Sequence, residues 1–348
     1  MWKFMLAPVA ALYKMGVSFR HALFDRGILK SERFKIPIIC IGNITVGGTG
    51  KTPMAEMVIS YMTQHHRVAL LSRGYGRKTK GYIEVTCDAH YRKVGDEPLQ
   101  IKQKFPDITV IVCEKRTEGI RRIMKEHPEV NLIIMDDGFQ HRYVEPKVNI
   151  VMVDATRPIK EDKYLPQGSL RDLPEQLYRA QYFIVTKCPE PMVALNRSLL
   201  KKDLVKYAYQ SIYFTRYETF GPQPIFKNDS AKRPRFDQQQ EVIALSGIGN
   251  PGPFLRTLKE RYKIAEEVTL NDHHVYKVRD VNRLSHLLRQ HPSAVVVTTE
   301  KDAVKLTNRN KIPQELRSKL YYLPINITFI GDSATDFLQK LESDVRGN

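Results

Sequence analysis

Gly42-Asn43-Ile44-Thr45-Val46-Gly47-Gly48-Thr49-Gly50-Lys51-Thr52-Pro53 decides how this chain is read. Apolar residues 36–42 before it read as a short strand, and 53–66 after it read as a helix. Glycines let such a loop curl so that several N–H groups face one anion. The following helix adds the positive end of its dipole. In this arrangement Lys51 reaches the β- and γ-phosphates of a nucleoside triphosphate, and the Thr52 hydroxyl binds Mg²⁺. Pro53 suits a first helical turn. Thr45, Gly47, Gly48, Thr49, Gly50, Lys51 and Thr52 are therefore the expected nucleotide cradle. One position departs from the strict phosphate-loop pattern, which has glycine where this chain has Thr45. Gly47 and Gly48 would supply the flexibility instead.

Outward from the loop, strands and helices alternate. Residues 67–72, 108–113, 130–135, 148–153 and 182–185 read as apolar strands, with helices over 97–105 and 117–127. Continuous apolar strands argue for a parallel sheet buried on both faces. Residues 206–220, rich in tyrosine, suggest an exposed extended ribbon, and polar residues 221–240 a loop or hairpin tip. A second alternating block follows, with strands at 241–245, 267–270, 294–297 and 320–329. Its helices fall at 251–262, 278–290 and 333–343. The expected fold is α/β: a P-loop NTPase-type, mostly parallel sheet sandwiched by helices, with a second smaller α/β domain joined by the ribbon. The expected partition is 1–30, 31–205, 206–240 and 241–348.

The second chemical signal is Leu132-Ile133-Ile134-Met135-Asp136-Asp137-Gly138-Phe139-Gln140-His141. An apolar strand ending in aspartate is the usual partner of a phosphate loop, one carboxylate holding Mg²⁺ directly or through water. Asp136 is the first choice for the metal and Asp137 the second. A third segment, Ser72-Arg73-Gly74-Tyr75-Gly76-Arg77, follows the second strand, at the end of the sheet where ligands bind. Arginines there can fork onto phosphate. In Val94-Gly95-Asp96-Glu97-Pro98, Asp96 either caps a helix or accepts the proton of an attacking hydroxyl. Residue chemistry alone leaves both readings open. In Asp272-His273-His274-Val275-Tyr276, adjacent histidines point apart, which argues against a two-histidine metal site. Arg73, Tyr75, Arg77, Glu97 and His141 are the expected substrate-binding residues.

Composition sets the partners. Fifty-five Lys and Arg stand against 38 acidic residues, a net charge of +17, which favours anionic partners. The basic residues are dispersed and no zinc-finger or RNA-binding signature occurs, so nucleic acid is not an expected partner. Four cysteines, Cys40, Cys87, Cys113 and Cys188, show no CxxC spacing and read as reduced, buried thiols. The apolar N-terminus, with Trp2, Phe4, Met5, Leu6, Val9, Leu12 and Tyr13, is too short to span a bilayer and is punctuated by basic residues. It reads as a basic, apolar-faced helix lying on a membrane surface.

Taken in order, these segments resemble the tetraacyldisaccharide 4′-kinase, or lipid A 4′-kinase, family. Leu165-Pro166-Gln167-Gly168-Ser169-Leu170-Arg171, Gly247-Ile248-Gly249-Asn250-Pro251 and Thr299-Glu300-Lys301-Asp302-Ala303 extend the likeness over nearly the whole chain. Thr45 looks like this family's own habit. The resemblance implies a peripheral enzyme on the cytoplasmic face of the inner membrane. With ATP and Mg²⁺ it would phosphorylate the 4′-hydroxyl of a tetraacylated glucosamine disaccharide 1-phosphate. No obligate protein partner is expected. In family terms Asp96 is the base, partnered by a histidine of the Asp-His-His run, with His273 favoured over His274. Arg171 touches phosphate in the transition state, and the Thr-Glu-Lys-Asp segment lies near the nucleotide.

Two other classes compete. A P-loop GTPase or metallochaperone-like regulator would carry a guanine-reading Asn-Lys-x-Asp; the nearest run, Val185-Thr186-Lys187-Cys188, lacks both the Asn and the Asp. A non-enzymatic membrane scaffold leaves both phosphate-site motifs without a purpose.

Overall fold

The computed structural model describes residues 6–226, 236–307 and 312–347. Its main helices are α1 (Ala7–Asp25), α2 (Lys51–Met62), α3 (Asp96–Lys104), α4 (Arg116–Glu126), α5 (Ala194–Leu204), α6 (Gly252–Arg261), α7 (Val278–Gln290), α8 (Glu300–Leu306) and α9 (Ala334–Arg346). Strands β1 (Ile38–Gly42), β2 (Val68–Ser72), β3 (Ile83–Glu84), β4 (Thr109–Val112), β5 (Leu132–Asp136), β6 (Val148–Asp154), β7 (Tyr182–Thr186) and β8 (Ser211–Thr219) belong to a larger sheet. Strands β9 (Gln223–Pro224), β10 (Glu241–Ser246), β11 (Lys263–Thr269), β12 (Val295–Thr299) and β13 (Leu320–Leu323) form a smaller one. Strand β14 (Ile325–Phe329) then returns to the larger sheet.

The larger sheet runs β14-β8-β7-β6-β1-β5-β2-β4-β3 in space. All its neighbours are parallel except the two edge strands, β14 and β3. β1 sits between β6 and β5, so the strand order reverses there. In open parallel sheets ligands bind beyond the carboxyl ends of the strands at such a reversal. Loop 43–52 leaves β1 at that place.

Every residue of β1, β2, β5, β6 and β7 is buried, as a sheet covered on both faces requires. Successive side chains serve opposite layers. Ile39 and Ile41 pack with Met54, Val58 and Met62 of α2. Ile38 and Cys40 pack with Ile120 and Ile123 of α4. Each fully buried aliphatic side chain contributes roughly 1.5–3 kcal/mol. The smaller sheet, ordered β9-β13-β12-β10-β11, is covered by Val281, Leu284 and Leu288 of α7 on one face and Phe254 and Leu258 of α6 on the other.

Four expectations need correction. Within segment 206–220, Tyr207, Tyr209 and Phe220 are exposed as expected, but 211–219 is no ribbon: β8 is an interior strand between β7 and β14, with Phe214 and Thr215 buried. Its tyrosines serve packing, since Tyr213 meets Tyr182, Phe329 and Phe337. The run 320–329 is two strands, divided at Pro324, which has no N–H for a ladder. Because β14 rejoins the larger sheet, α9 packs Phe337, Leu338 and Leu341 there rather than on the smaller one. Cys40, Cys113 and Cys188 are buried as expected, whereas Cys87 is exposed. Helix α5 lies outside the expected elements.

Helix α1 buries Ala10, His21 and Phe24 and exposes Val9, Leu12, Met15 and Phe19. That spacing is one helical face. His21 Nε2 donates to Asp172 at 2.6 Å and the Tyr13 hydroxyl to Arg171 O at 3.1 Å, so the opposite face is anchored. Trp2, Phe4 and Met5, and 227–235 of the expected loop, lie outside the described residues. Among the described residues no helix is long and apolar enough to cross a membrane.

Candidate active site

Loop 43–52 is held by segment 169–171. Thr45 pairs with Leu170 in an antiparallel bridge, Val46 N donates to Ser169 O at 2.8 Å, and Arg171 N donates to Ile44 O at 2.9 Å. The first half of the loop is therefore extended, and position 45 needs no glycine. This is the physical reason for the departure from the strict pattern. Glycine is required later: Gly50 caps α2 at φ +89, and a Cβ there would run into the Tyr217 hydroxyl. Thr49 is fixed from both sides, its Oγ1 accepting from Asn43 Nδ2 at 2.7 Å and its carbonyl from the Thr186 hydroxyl at 3.1 Å. Lys51 and Thr52 open the first turn of α2.

Lys51, Asn43, Asp137 and Arg171 converge beside the loop. Lys51 Nζ lies 3.5 Å from both Asp137 Oδ1 and Asn43 Oδ1. Arg171 grips Asp137 with two nitrogens and also donates to Asn43 Oδ1. Burial opposes ionisation of Asp137, but the Arg171 hydrogen bonds and the Lys51 charge hold its carboxyl well below the usual range. Asp137 takes φ +49, a left-handed backbone uncommon outside glycine and often found at functional sites.

Asp136, at the end of β5, is buried. Its Oδ2 accepts from Ser72 Oγ at 3.4 Å, and its Oδ1 has no partner among the described residues. Burial, reinforced by Glu97 and Asp137 and opposed by Lys51 and Arg116, pushes its carboxyl up to about 7. An unpartnered buried carboxylate oxygen is costly unless a cation faces it. Mg²⁺ delivered with nucleotide phosphates fits, because it takes one or two carboxylates and completes its shell with phosphate and water. Among the described residues no three His, Cys, Asp or Glu side chains converge to hold a metal by themselves.

Ser72 links this corner to Asp96. Its hydroxyl accepts from Gly74 N at 3.4 Å, and Gly74 abuts Gly95, whose added Cβ would lie 3.1 Å from Gly74 Cα. Gly95 holds φ +94 with ψ 154, which only glycine adopts readily, and so turns the chain into α3 with Asp96 first. Asp96 is 5% exposed. Its Oδ2 lies 3.1 Å from His273 Nδ1, reaching across from the smaller sheet's side. His273 Nε2 faces Lys301 Nζ at 3.4 Å, so Nε2 accepts and Nδ1 donates to Asp96. Burial works against the Asp96 charge, yet the His273 hydrogen bond and the nearby charges of Lys301, His273 and Lys305 hold the carboxyl below its ordinary value. His274 turns the other way, its Nε2 2.9 Å from Asp280 Oδ2.

The remaining expected residues scatter. Arg73 is exposed, and its charge acts on Arg116 and His141. Tyr75 is 68% exposed, and its ring centroid lies 5.3 Å from that of His273. Glu97 Oε1 meets Lys301 Nζ at 3.3 Å. Arg77 is committed elsewhere, to Glu114 at 2.6 Å and Gly81 O at 2.6 Å, and so braces its own loop. His141 is pushed down to about 4 by burial and by the charges of Arg116, Arg20 and Arg73, so it is neutral near pH 7.

Comparison with known proteins agrees with this geometry. The family described as tetraacyldisaccharide-1-P 4′-kinase matches residues 2–346. The chain belongs to that family. It is 39% identical to the tetraacyldisaccharide 4′-kinase of Porphyromonas gingivalis, over 97% of this chain and 95% of that one. Against the protein of the same name from Phocaeicola vulgatus it is 38% identical, over 99% and 95%. A solved structure of LpxK from Aquifex aeolicus, described as an "apo" form in complex with ATP, superposes with a TM-score of 0.75 at 25% identity, covering 99% of both chains. This 4′-kinase is thus a phosphotransferase with an alcohol acceptor, built on a P-loop α/β fold.

Three groups of this site escaped the sequence reading. Asn43 bridges Thr49, Lys51 and Arg171. Arg116, 3% exposed, sets its charge beside Asp136 and Asp137. Its place just past β4, at the ligand end of the sheet, was the available signal. Lys305 of α8 lies against Asp96, and no local pattern announces it.

Proposed function

We propose that this 4′-kinase moves the γ-phosphoryl group of ATP to the 4′-hydroxyl of a tetraacylated glucosamine disaccharide 1-phosphate, with Asp96 as the base. The observation that carries the reading is the 3.1 Å contact between Asp96 and His273, set across two units beside the phosphate loop. Phosphoryl transfer needs positioning and charge neutralisation more than covalent help from the protein. The loop from Thr45 to Thr52 cradles the phosphates. Lys51 and Arg171 exchange Asp137 for phosphate oxygens. Thr52, Asp136 and Asp137 would hold Mg²⁺, which would supply neutralising charge to the phosphates. Asp96 takes the proton of the 4′-hydroxyl as that oxygen bonds to the γ-phosphorus and the bond to the ADP oxygen breaks. His273 orients Asp96 by its Nδ1 hydrogen bond. Arg73, Tyr75, Glu97 and His141 face the sugar and its 1-phosphate.

Two units close around this chemistry: a larger one built on 31–219 and 325–347, and a smaller one built on 223–226, 236–307 and 312–323. Closure excludes water so that the sugar hydroxyl outcompetes hydrolysis. The exposed stripe of Val9, Leu12, Met15 and Phe19, on a chain of net charge +17, suits the surface of an anionic membrane in which the acylated substrate lies. The cytoplasmic face of the inner membrane is the side that supplies ATP. Deleting residues 1–20 will weaken liposome binding; unchanged binding would remove the surface-helix role. The activity itself is tested with γ-labelled ATP, Mg²⁺ and the acylated disaccharide phosphate. Label is expected in the lipid, and label appearing only on a soluble sugar would overturn the assignment.

A further inference from the structure

Lys305 has a side chain only 1% exposed, yet it carries an ammonium group. That group lies 3.1 Å from Asp302 Oδ1, one helical turn away, and 3.8 Å from Asp96 Oδ2, across the boundary between the two units. Asp302 is itself fully buried. Its Oδ2 accepts from Gly247 N at 2.8 Å and from the Thr299 hydroxyl at 2.8 Å, and these bonds lock the carboxylate that aims Lys305. A lysine needed only to neutralise Asp302 is satisfied by that pair. Its second contact, with a carboxylate on the other unit, is what local neutralisation leaves unexplained. A buried ammonium is expensive to desolvate, by several kcal/mol. An opposite charge within about 4–6 Å favours the ionised form of a carboxyl group.

We propose that Lys305, aimed by Asp302, is a positioning residue that keeps Asp96 ionised and turned toward His273 and the acceptor hydroxyl. This rests on the reading of Asp96 as the base. Lys301 differs: its side chain is 23% exposed, and its ammonium is spread over Glu97 at 3.3 Å, His273 Nε2 at 3.4 Å and Asp96 at 3.9 Å. It faces the cleft, whereas Lys305 works from behind the carboxylate. The charged and titratable groups around Asp96 are Glu97 on its own helix, Tyr91 on the preceding turn, His273 and Asp272 on the loop before α7, and Lys301, Lys305 and Asp302 on α8. The sign follows from this set. Losing Lys305 raises the proton affinity of Asp96, and losing Asp302 lowers it. The Lys305 effect is the larger, because Lys305 stands between the two carboxylates.

The test is the pH profile of kcat for the full-length enzyme and four variants, with the KM for ATP measured alongside. Lys305→Met should lower kcat roughly tenfold or more. It should also move the acid limb up by about one pH unit, with KM for ATP changed less than about twofold. Asp302→Asn should leave the acid limb no higher than in the wild type. The net-neutral double variant Lys305→Met/Asp302→Asn buries no unpaired charge and should fold even where the single lysine variant does not. Its acid limb should fall between those of the wild type and Lys305→Met. Uniform loss of activity in Lys305→Met and the double variant, with no displacement of the acid limb, would make Lys305 structural and overturn the proposal. So would failure of both to fold. Asp96→Ala separates the two readings. Near-normal turnover there sinks the base itself, whereas a dead Asp96→Ala beside an unmoved Lys305→Met limb sinks only the role of Lys305.

Discussion

Residues 43–52 and the Asp96–His273 pair belong to one site but are assembled in opposite ways. The loop is contiguous in the chain and hangs between one strand and one helix; Asn43, Thr49 and Lys51 brace it from within, and segment 169–171 and Thr186 of the same unit brace it from outside. Asp96 and His273 stand 177 residues apart and meet only where two sheets come together. The contacts described for the loop all come from the larger unit, so on the proposed reading it binds triphosphate without help from the smaller one. The pair needs both units, so on the proposed reading binding of nucleotide and deprotonation of the acceptor are separable.

The largest expected effect breaks the two halves apart directly. Asp96→Ala should lower kcat by roughly 10²–10⁴-fold while the Kd for ATP, measured by calorimetry, stays within about twofold. Lys51→Ala should instead weaken ATP binding or kcat/KM for ATP by about 10–100-fold, because it removes a charge from the phosphates. Equal losses of ATP affinity in both would erase the distinction.

A smaller effect sharpens the comparison within the loop before α7. His273→Ala should cost about 10–100-fold in kcat with unaltered thermal stability, since its ring serves Asp96. His274 is bonded to Asp280, which also accepts from Lys277 N at 2.8 Å. His274→Ala should therefore destabilise the fold by about 1 kcal/mol, seen as a lower Tm, while kcat changes little. A reversal of these two outcomes would put the wrong histidine on Asp96.

The smallest effect concerns one of the contacts between the units. Lys104 of α3 reaches Glu56 of α2 at 2.6 Å and Glu300 of α8 at 3.2 Å. Burial, with Glu56 close by and Lys104 opposing, pushes the Glu300 carboxyl up to about 7. The folded state then holds this proton more tightly than the unfolded chain does. Its contribution is complete below the ordinary carboxyl value and is lost as pH rises through about 7. Glu300→Gln should raise Tm by a few degrees at pH 8, roughly 2–4 °C for 1 kcal/mol in domains of this size, and by less at pH 5. An equal change at both pH values would show that Glu300 is not protonated in the fold.

What the sequence made legible follows the same division. The phosphate loop, the Asp136-Asp137 strand end and the parallel sheet could be read because each is a local pattern: glycines at a turn, an apolar run, a carboxylate at a strand end. Thr45 read as a departure because its reason, the bridge to Leu170, lies more than a hundred residues away. Asp96 stayed open between cap and base until His273 came into view, and only family resemblance had paired them. Arg77 showed the opposite failure: a promising position, but a guanidinium already held by Glu114 and Gly81. β8 was misread because tyrosines packed in an interior layer alternate like tyrosines on a surface. Pro324, which hands the chain from one sheet to the other, was visible throughout; which sheet each side would join was not.

A double-mutant cycle on Asp96 and His273, read as single-turnover transfer from ATP to the acylated disaccharide phosphate, tests most directly whether the two act as one unit. Asp96→Ala/His273→Ala should turn over about as fast as Asp96→Ala alone, because His273 has nothing left to orient. Losses that multiply, with the double variant slower than Asp96→Ala by the full His273→Ala factor, would show that the two side chains act independently and that the pair is not the base.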